Sequence, residues 1–201
     1  MMAIAATPAP QARPTSAEQR MLLHGVSWKD YVILREALDT PGLRMTYCEG
    51  MLELMTLSFG HESDKKSIAR LVELYGFLRR VRLNGYGSTT FRREAKQRGA
   101  EPDECYCVGR AMTEGQFPDI VLEVIHTNPL LDKLHVYVGF GVPEVWLFRN
   151  AAFEIYRLAG EQYDRVERSG LLPELDFAWI ARLAGYPDQQ DALDELRRLL
   201  G

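Results

Sequence analysis

Between Ser58 and Asn84, apolar residues Ile68, Leu71, Val72, Tyr75, Leu78 and Val81 recur at steps of three and four, the spacing of one buried helical stripe. Ser58 opens this long helix and Asn84-Gly85 ends it. Elsewhere the period is two. Leu43 to Cys48 and Met51 to Thr56 flank Glu49-Gly50, a two-residue turn ending in glycine, and predict a hairpin. Tyr86 to Glu94 and Asp103 to Val108 predict strands, the second with Asp103, Cys105 and Cys107 on one face. Asp119 to Ile125 is mostly aliphatic, as a central strand covered on both faces should be. Glu144 to Phe148 predicts another strand, and Phe153 to Leu158 with Gln162 to Glu167 a hairpin around Ala159-Gly160. Further helices are predicted after Ser27, running to about Leu38; from Pro129 with Asn128 as cap to about Gly139; and over Asp176 to Leu183 and Asp188 to Leu200.

The central order is helix, strand, strand, strand, helix, strand. It predicts an α/β sandwich around one sheet, extended by the two hairpins and closed by C-terminal helices. Residues 1–20 are rich in Ala, Pro, Thr and Gln without periodicity and predict a disordered leader. Residues 21–201 are predicted to form one domain.

Composition narrows the class. The 201 residues are 46% hydrophobic and 26% charged, an ordinary soluble composition. No run of about 18 apolar residues predicts a membrane span, and no basic start followed by an apolar stretch predicts a secretory signal. Three cysteines without paired zinc spacing read as reduced core residues, so a cytoplasmic protein is expected. A net charge of -4 argues against a broad nucleic-acid-coating surface and leaves room for a local basic cleft.

Glu123 interrupts an apolar strand, with Ile120, Val121 and Leu122 before it and Val124 and Ile125 after. A buried, unpaired carboxylate costs several kcal/mol or takes up a proton, so it needs a cation, a basic partner or exposure at an edge. Asp103, after Pro102, starts the preceding strand; it is either a turn residue or a second carboxylate aimed at the same point. Asp119 repeats the Pro-Asp pair but stands four residues from Glu123 on one strand, about 13 Å away. Asp103 from a neighbouring strand comes much closer. Two converging carboxylates suit Mg²⁺ or Mn²⁺, which points to a metal-dependent phosphodiesterase site. Glu62 sits in the first turn of the long helix, where the helix dipole alone favours an acid; His61 beside it reads as a surface or capping residue. Lys133 follows the Glu123 strand and either reaches the cleft or faces water. Arg92, Arg93, Lys96 and Arg98 form a cationic cluster, either a solvated loop or a grip on phosphates.

The segments YCEGMLELMT, FGHES, GSTTFRREAKQRGAEPDECY, PDIVLEV, LDKL and GVPEVW resemble the Uma-two family of restriction-endonuclease-like proteins, over about Val26 to Pro173. That family falls in the PD-(D/E)XK nuclease superfamily, whose core has the element order reached above. The resemblance implies that Asp103 and Glu123 hold Mg²⁺, with the Val124 carbonyl as a further ligand and Glu62 as the assisting helix carboxylate. The motif lysine would stand two residues after Glu123, where this chain has Ile125. Such proteins often take the lysine from the next helix, and Lys133 matches that place.

The expected function is therefore Mg²⁺-dependent (or Mn²⁺-dependent) hydrolysis of DNA phosphodiesters. Asp103, Glu123 and Lys133 would be catalytic, and Arg92, Arg93 and Lys96 would bind phosphate. The rival is a nuclease fold that binds nucleic acid or a protein partner without cutting. Action on another phosphoester is a third reading. Homodimerisation is compatible with a duplex having two strands to cut, and no sequence feature demands it.

Overall fold

Side-chain caps set the helix starts. The Ser27 hydroxyl accepts from Asp30 N at 3.2 Å and donates to the Asp30 carboxylate at 2.6 Å, a reciprocal cap for α1 (Trp28–Ala37). Ser58 accepts from His61 N and starts α2 (Phe59–Leu78). Asp132, Asp176 and Asp188 cap α3 (Lys133–Phe140), α4 (Phe177–Ala184) and α5 (Gln189–Leu200). The computed structural model describes residues 18–201.

The strands are β1 (Gln19–His24), β2 (Leu43–Cys48), β3 (Met51–Thr56), β4 (Leu83–Gly85), β5 (Phe91–Arg93), β6 (Arg98–Ala100), β7 (Glu104–Val108), β8 (Ile120–Val124), β9 (Glu144–Arg149), β10 (Ala152–Ala159) and β11 (Gln162–Val166). They form two sheets, ordered β11-β10-β9-β8-β7-β4 and β1-β3-β2-β6-β5. In the larger sheet β8 and β9 run parallel and are joined through α3, while the other pairs are antiparallel. The succession α2, β4, β7, β8, α3, β9 is the restriction-endonuclease-like core order, in a mixed α/β fold with five helices.

Alternation along β8 decides what faces what. Ile120, Leu122 and Val124 join Trp146 and Phe148 in a core under α2, α4 and α5. Val121, with Cys105, Val145 and Leu147, faces the other way, toward α3 and the smaller sheet. α1 covers the far side of the smaller sheet, where Tyr31 packs with Met45, Tyr47 and Leu52. The layers thus run α1, small sheet, α3, large sheet, α2 with α4 and α5. All three cysteines are buried and free. Among the described residues no helix is long and apolar enough to cross a membrane.

Several expectations are corrected. There are two sheets rather than one: the β2–β3 hairpin builds the smaller sheet, and only β10–β11 extends the larger. Tyr86 to Glu94 is not one strand. The larger sheet takes Leu83–Gly85 instead, so Asn84-Gly85 lies in a strand and α2 stops at Leu78. Positions 1–17 of the expected leader lie outside the described residues, but its last two, Gln19 and Arg20, are paired in β1 against Thr56 and Met55.

Candidate active site

The β7–β8 pairing places Glu104 opposite Leu122 and Cys105 opposite Val121. One position further, Asp103 stands across from Glu123, and directly opposed residues have Cβ atoms about 4.5–5.5 Å apart. Val124 N donates to Asp103 Oδ2 at 2.7 Å. In a strand the N–H and C=O of one residue leave on the same side, so the Val124 carbonyl is also turned toward Asp103. Both acids are buried, Asp103 at 1% and Glu123 at 3% exposure.

Lys133 reaches Glu123 from α3. Its Nζ lies 3.2 Å from Glu123 Oε1 and donates to Thr46 Oγ1 of β2 at 3.1 Å. The Tyr137 hydroxyl, one turn further along α3, donates to the same Glu123 oxygen. Ile125, where a lysine would complete the strand motif, is a core residue. Lys133 is the first residue of its helix rather than one turn into it, because the predicted start at Asn128-Pro129 is overridden. Leu130 N and Leu131 N donate to the buried Glu53 carboxylate of β3 at 3.2 and 3.0 Å, and the helix begins only at the Asp132 cap.

His61 is not a surface residue: it is fully buried, and its Nε2 donates to Asp103 Oδ1 at 2.8 Å. On its other side Nδ1 lies 3.2 Å from Glu18 Oε1. Glu18 Oε2 accepts from Thr127 N at 2.8 Å and from the Thr127 hydroxyl. Arg20 reaches Glu18, Glu53 and Thr127. The neighbour predicted to assist, Glu62, turns instead to Lys65, whose Nζ donates to its Oε2 at 2.6 Å. Neither Glu18 nor Glu53 was legible as a site residue, since their partners are far away in sequence.

Charge in this cluster is unbalanced. Four carboxylates (Glu18, Glu53, Asp103, Glu123) face three cations (Arg20, His61, Lys133). Burial alone would lower the His61 pKa, but Asp103 and Glu18 outweigh it and hold the ring protonated, up to about 9. Burial would raise Glu18, yet His61, Thr127 and Arg20 bring it down to about 2. Burial likewise opposes Asp103 ionisation, but His61, the Val124 N–H and Lys133 keep it ionised below the usual carboxylate range. Glu123 goes the other way. Burial is the main cause that raises it, Lys133 offsets part of that, and the like charge of Asp103 adds to it.

The sequence model of one family, Uma2, described as "Putative restriction endonuclease", matches residues 28–183. The chain belongs to the Uma2 family. Among solved structures, the chain is similar to the "Crystal structure of a putative nuclease belonging to DUF820 from Anabaena variabilis ATCC 29413", determined at 1.96 Å. The two are 14% identical with a TM-score of 0.49, and the match covers 81% of this chain and 98% of that one. No curated protein matches. The Uma2 family is thus described as a nuclease family, a class that acts on nucleic acid and typically uses divalent metal.

The remaining predicted residues of this Uma2 protein lie apart from the carboxylate pair. Arg92 and Arg93 are on β5, the edge strand, two strands from Thr46. Arg92 is 3.9 Å from Glu36; Arg93 donates to Gly139 O and lies over the Phe117 ring; Lys96 is exposed in a short 3-10 turn. Arg98, expected with them, is buried and donates to Glu49 at 3.0 Å and to His135 Nε2 at 2.9 Å. Ligand atoms of Cys48, Glu49 and His135 lie within 4.8 Å of one another, a second grouping able to hold a metal. The Arg98 guanidinium already supplies a cation to two of the three. A cavity of about 390 Å³ opens beside Lys133, lined by Ile125, Leu131, Leu147, Arg149 and Tyr156 among others.

Proposed function

We propose that the chain hydrolyses DNA phosphodiester bonds with the help of Mg²⁺ or Mn²⁺ held by Asp103, Glu123 and the Val124 carbonyl. One observation carries the reading: two carboxylates opposed across β7–β8, with an ammonium 3.2 Å from one of them, in a buried cluster that has one carboxylate more than it has cations. The donor set fits the ion, because all three donors are hard oxygens. Glu62 would assist from the first turn of α2, with Oε2 on Lys65 and Oε1 without a hydrogen-bond partner.

A divalent ion in this place polarises the phosphate and lowers the pKa of an attacking water. The protein's own groups do the rest. His61 and the Val124 N–H fix the two Asp103 oxygens, and Tyr137 fixes Glu123. Lys133, 3.2 Å from Glu123, stabilises charge developing on the phosphate oxygens. Arg92 and Arg93 on the edge strand and Lys96 in the turn that follows it, all exposed, hold flanking phosphates.

The test is plasmid cleavage with Mg²⁺, Mn²⁺ or EDTA, by wild type and Asp103→Asn. Cleavage confined to wild type with metal is expected, and equal cutting in EDTA or by the variant would overturn the assignment. A second reading, a nuclease fold that binds nucleic acid without cutting, is favoured by the closure of the site, where both Asp103 oxygens are taken by the chain itself. Salt-sensitive DNA binding with no cleavage under any metal would decide for it.

A further inference from the structure

Glu18 is an odd component of the cluster. It lies before the stretch that matches the family, immediately ahead of β1, which among the described residues pairs with β3 alone. Its carboxylate is nevertheless buried and collects a main-chain N–H and a hydroxyl from Thr127, a guanidinium nitrogen from Arg20 at 3.3 Å, and His61 Nδ1 at 3.2 Å. A main-chain amide, a hydroxyl, a guanidinium and an imidazolium converging on one anion are the donors that proteins bring to phosphate oxygens. The fit to the carboxylate is incomplete. His61 Nδ1 is fully buried and within ion-pair range of Glu18, but it makes no hydrogen bond. A planar carboxylate offers two oxygens in one plane, whereas a phosphate offers oxygens in three dimensions and can satisfy that nitrogen too. The other nitrogen of the same ring holds Asp103, so this seat is one imidazole away from the proposed metal ligands.

We propose that Arg20, His61 and Thr127 form a phosphate-binding subsite which the chain closes with its own Glu18 carboxylate, and that a backbone phosphate of the substrate displaces Glu18 when DNA binds. This rests on the nuclease reading for the identity of the ligand, but not for the existence of the seat. Displacement also accounts for a site that is closed in the free protein: while Glu18 is seated, an anion is held out by charge as well as by volume.

The experiment is thermal melting of the full chain in chloride and in inorganic phosphate at matched ionic strength. The proteins compared are wild type, Glu18→Ala, Glu18→Gln and Glu18→Ala/Thr127→Val. Wild type should melt alike in the two salts. Glu18→Ala should melt lower than wild type in chloride, because Arg20 and His61 lose a partner, and recover in phosphate. Its phosphate affinity should be on the order of tenfold tighter, the worth of one charge-assisted hydrogen bond. Glu18→Gln keeps the size and the Thr127 contacts, so it should fold if the alanine variant does not and should show the same recovery in smaller measure. The Thr127→Val partner should lose it. No phosphate-specific gain in either Glu18 variant, or an equal gain in wild type, overturns the subsite whatever the cleavage assays give. A phosphate gain without DNA cleavage under any metal leaves the subsite standing and removes the nuclease reading. A phosphate gain with faster cleavage by Glu18→Ala supports both.

Discussion

Glu101 and Asp103 are two residues apart in one Glu-Pro-Asp run, and both are almost fully buried, yet their surroundings differ in kind. Glu101 has its charge answered within the chain. Arg35 of α1 donates to Oε1 through Nε, Thr90 donates to the same oxygen at 2.8 Å, and Met45 N lies 3.3 Å from Oε2. That corner ties α1 to the smaller sheet, and the second carboxylate on Arg35, Asp39 at 2.8 Å, is exposed to water rather than buried with it. Two residues on, Asp103 belongs to a buried cluster with more acids than bases, where burial first and the like charge of Asp103 second raise the Glu123 pKa. Burial of an acid therefore does not mark chemistry; the balance of charge around it does.

The strongest way to break this contrast is Glu101→Gln. Breaking a buried pair by removing one partner costs about 3–5 kcal/mol, and the partly exposed Arg35 puts this case at the lower end. Urea melts should show that loss while the folded fraction still cleaves DNA; a variant as stable as wild type would make the Glu101 corner no more structural than the other. Lys133→Ala should do the opposite, lowering cleavage by about 10²–10³, as removing one charge-stabilising donor does, while retaining metal binding. Single-turnover assays read the first quantity and metal titrations the second. Divalent metal should separate the corners further. At a hundredfold excess over Kd a ligand of the native state adds about 2.7 kcal/mol, so calorimetry with Mg²⁺ or Mn²⁺ should show that gain in wild type and Glu101→Gln but not in Glu123→Gln.

The smallest effect concerns the metal-free protein. Because the native Glu123 pKa is raised, mostly by burial, the folded chain keeps a proton that the unfolded chain releases. Wild-type stability in EDTA should therefore fall as pH rises from the ordinary carboxylate range through that raised value. Glu123→Gln has no such proton to lose, so near neutral pH it should melt higher than wild type in EDTA. A lower melt would mean that Lys133 was relying on the charge.

What could be read from the sequence follows the range of the interactions. The α2 stripe from Ile68 to Tyr75, the β2–β3 hairpin and the caps at Ser27 and Ser58 rest on neighbours within a few residues, and they stand where periodicity and cap chemistry put them, although the helix ends before Val81. Glu123 was conspicuous because a lone acid in an apolar strand has a cost anywhere. By contrast, β1 is an edge strand whose partners in β3 are 27 to 37 positions away. The start of α3 was misplaced because Asn128 and Pro129 are good local signals, while the Glu53 carboxylate that overrides them is distant. His61 looked like part of a helix cap, and only the tertiary fold brings Asp103 and Glu18 to its two nitrogens. Two sheets rather than one were invisible for the same reason: strand patterns say which residues face inward, not which sheet they join.

The contacts that complete the cluster span long stretches of chain: 87 residues from Lys133 to Thr46, 78 from Leu131 to Glu53, and 109 from Thr127 to Glu18. Loops of that length close late, after local helices and hairpins have formed. The carboxylate pair needs only β7 and β8 to meet, but the ammonium is held by groups on both sheets. A chain caught partway through folding has its acids and lacks its positioned lysine. On the proposed function, competence to cut would thereby be reserved for the finished molecule, and a nascent or partly melted copy would be harmless to nucleic acid for as long as its two sheets stay apart.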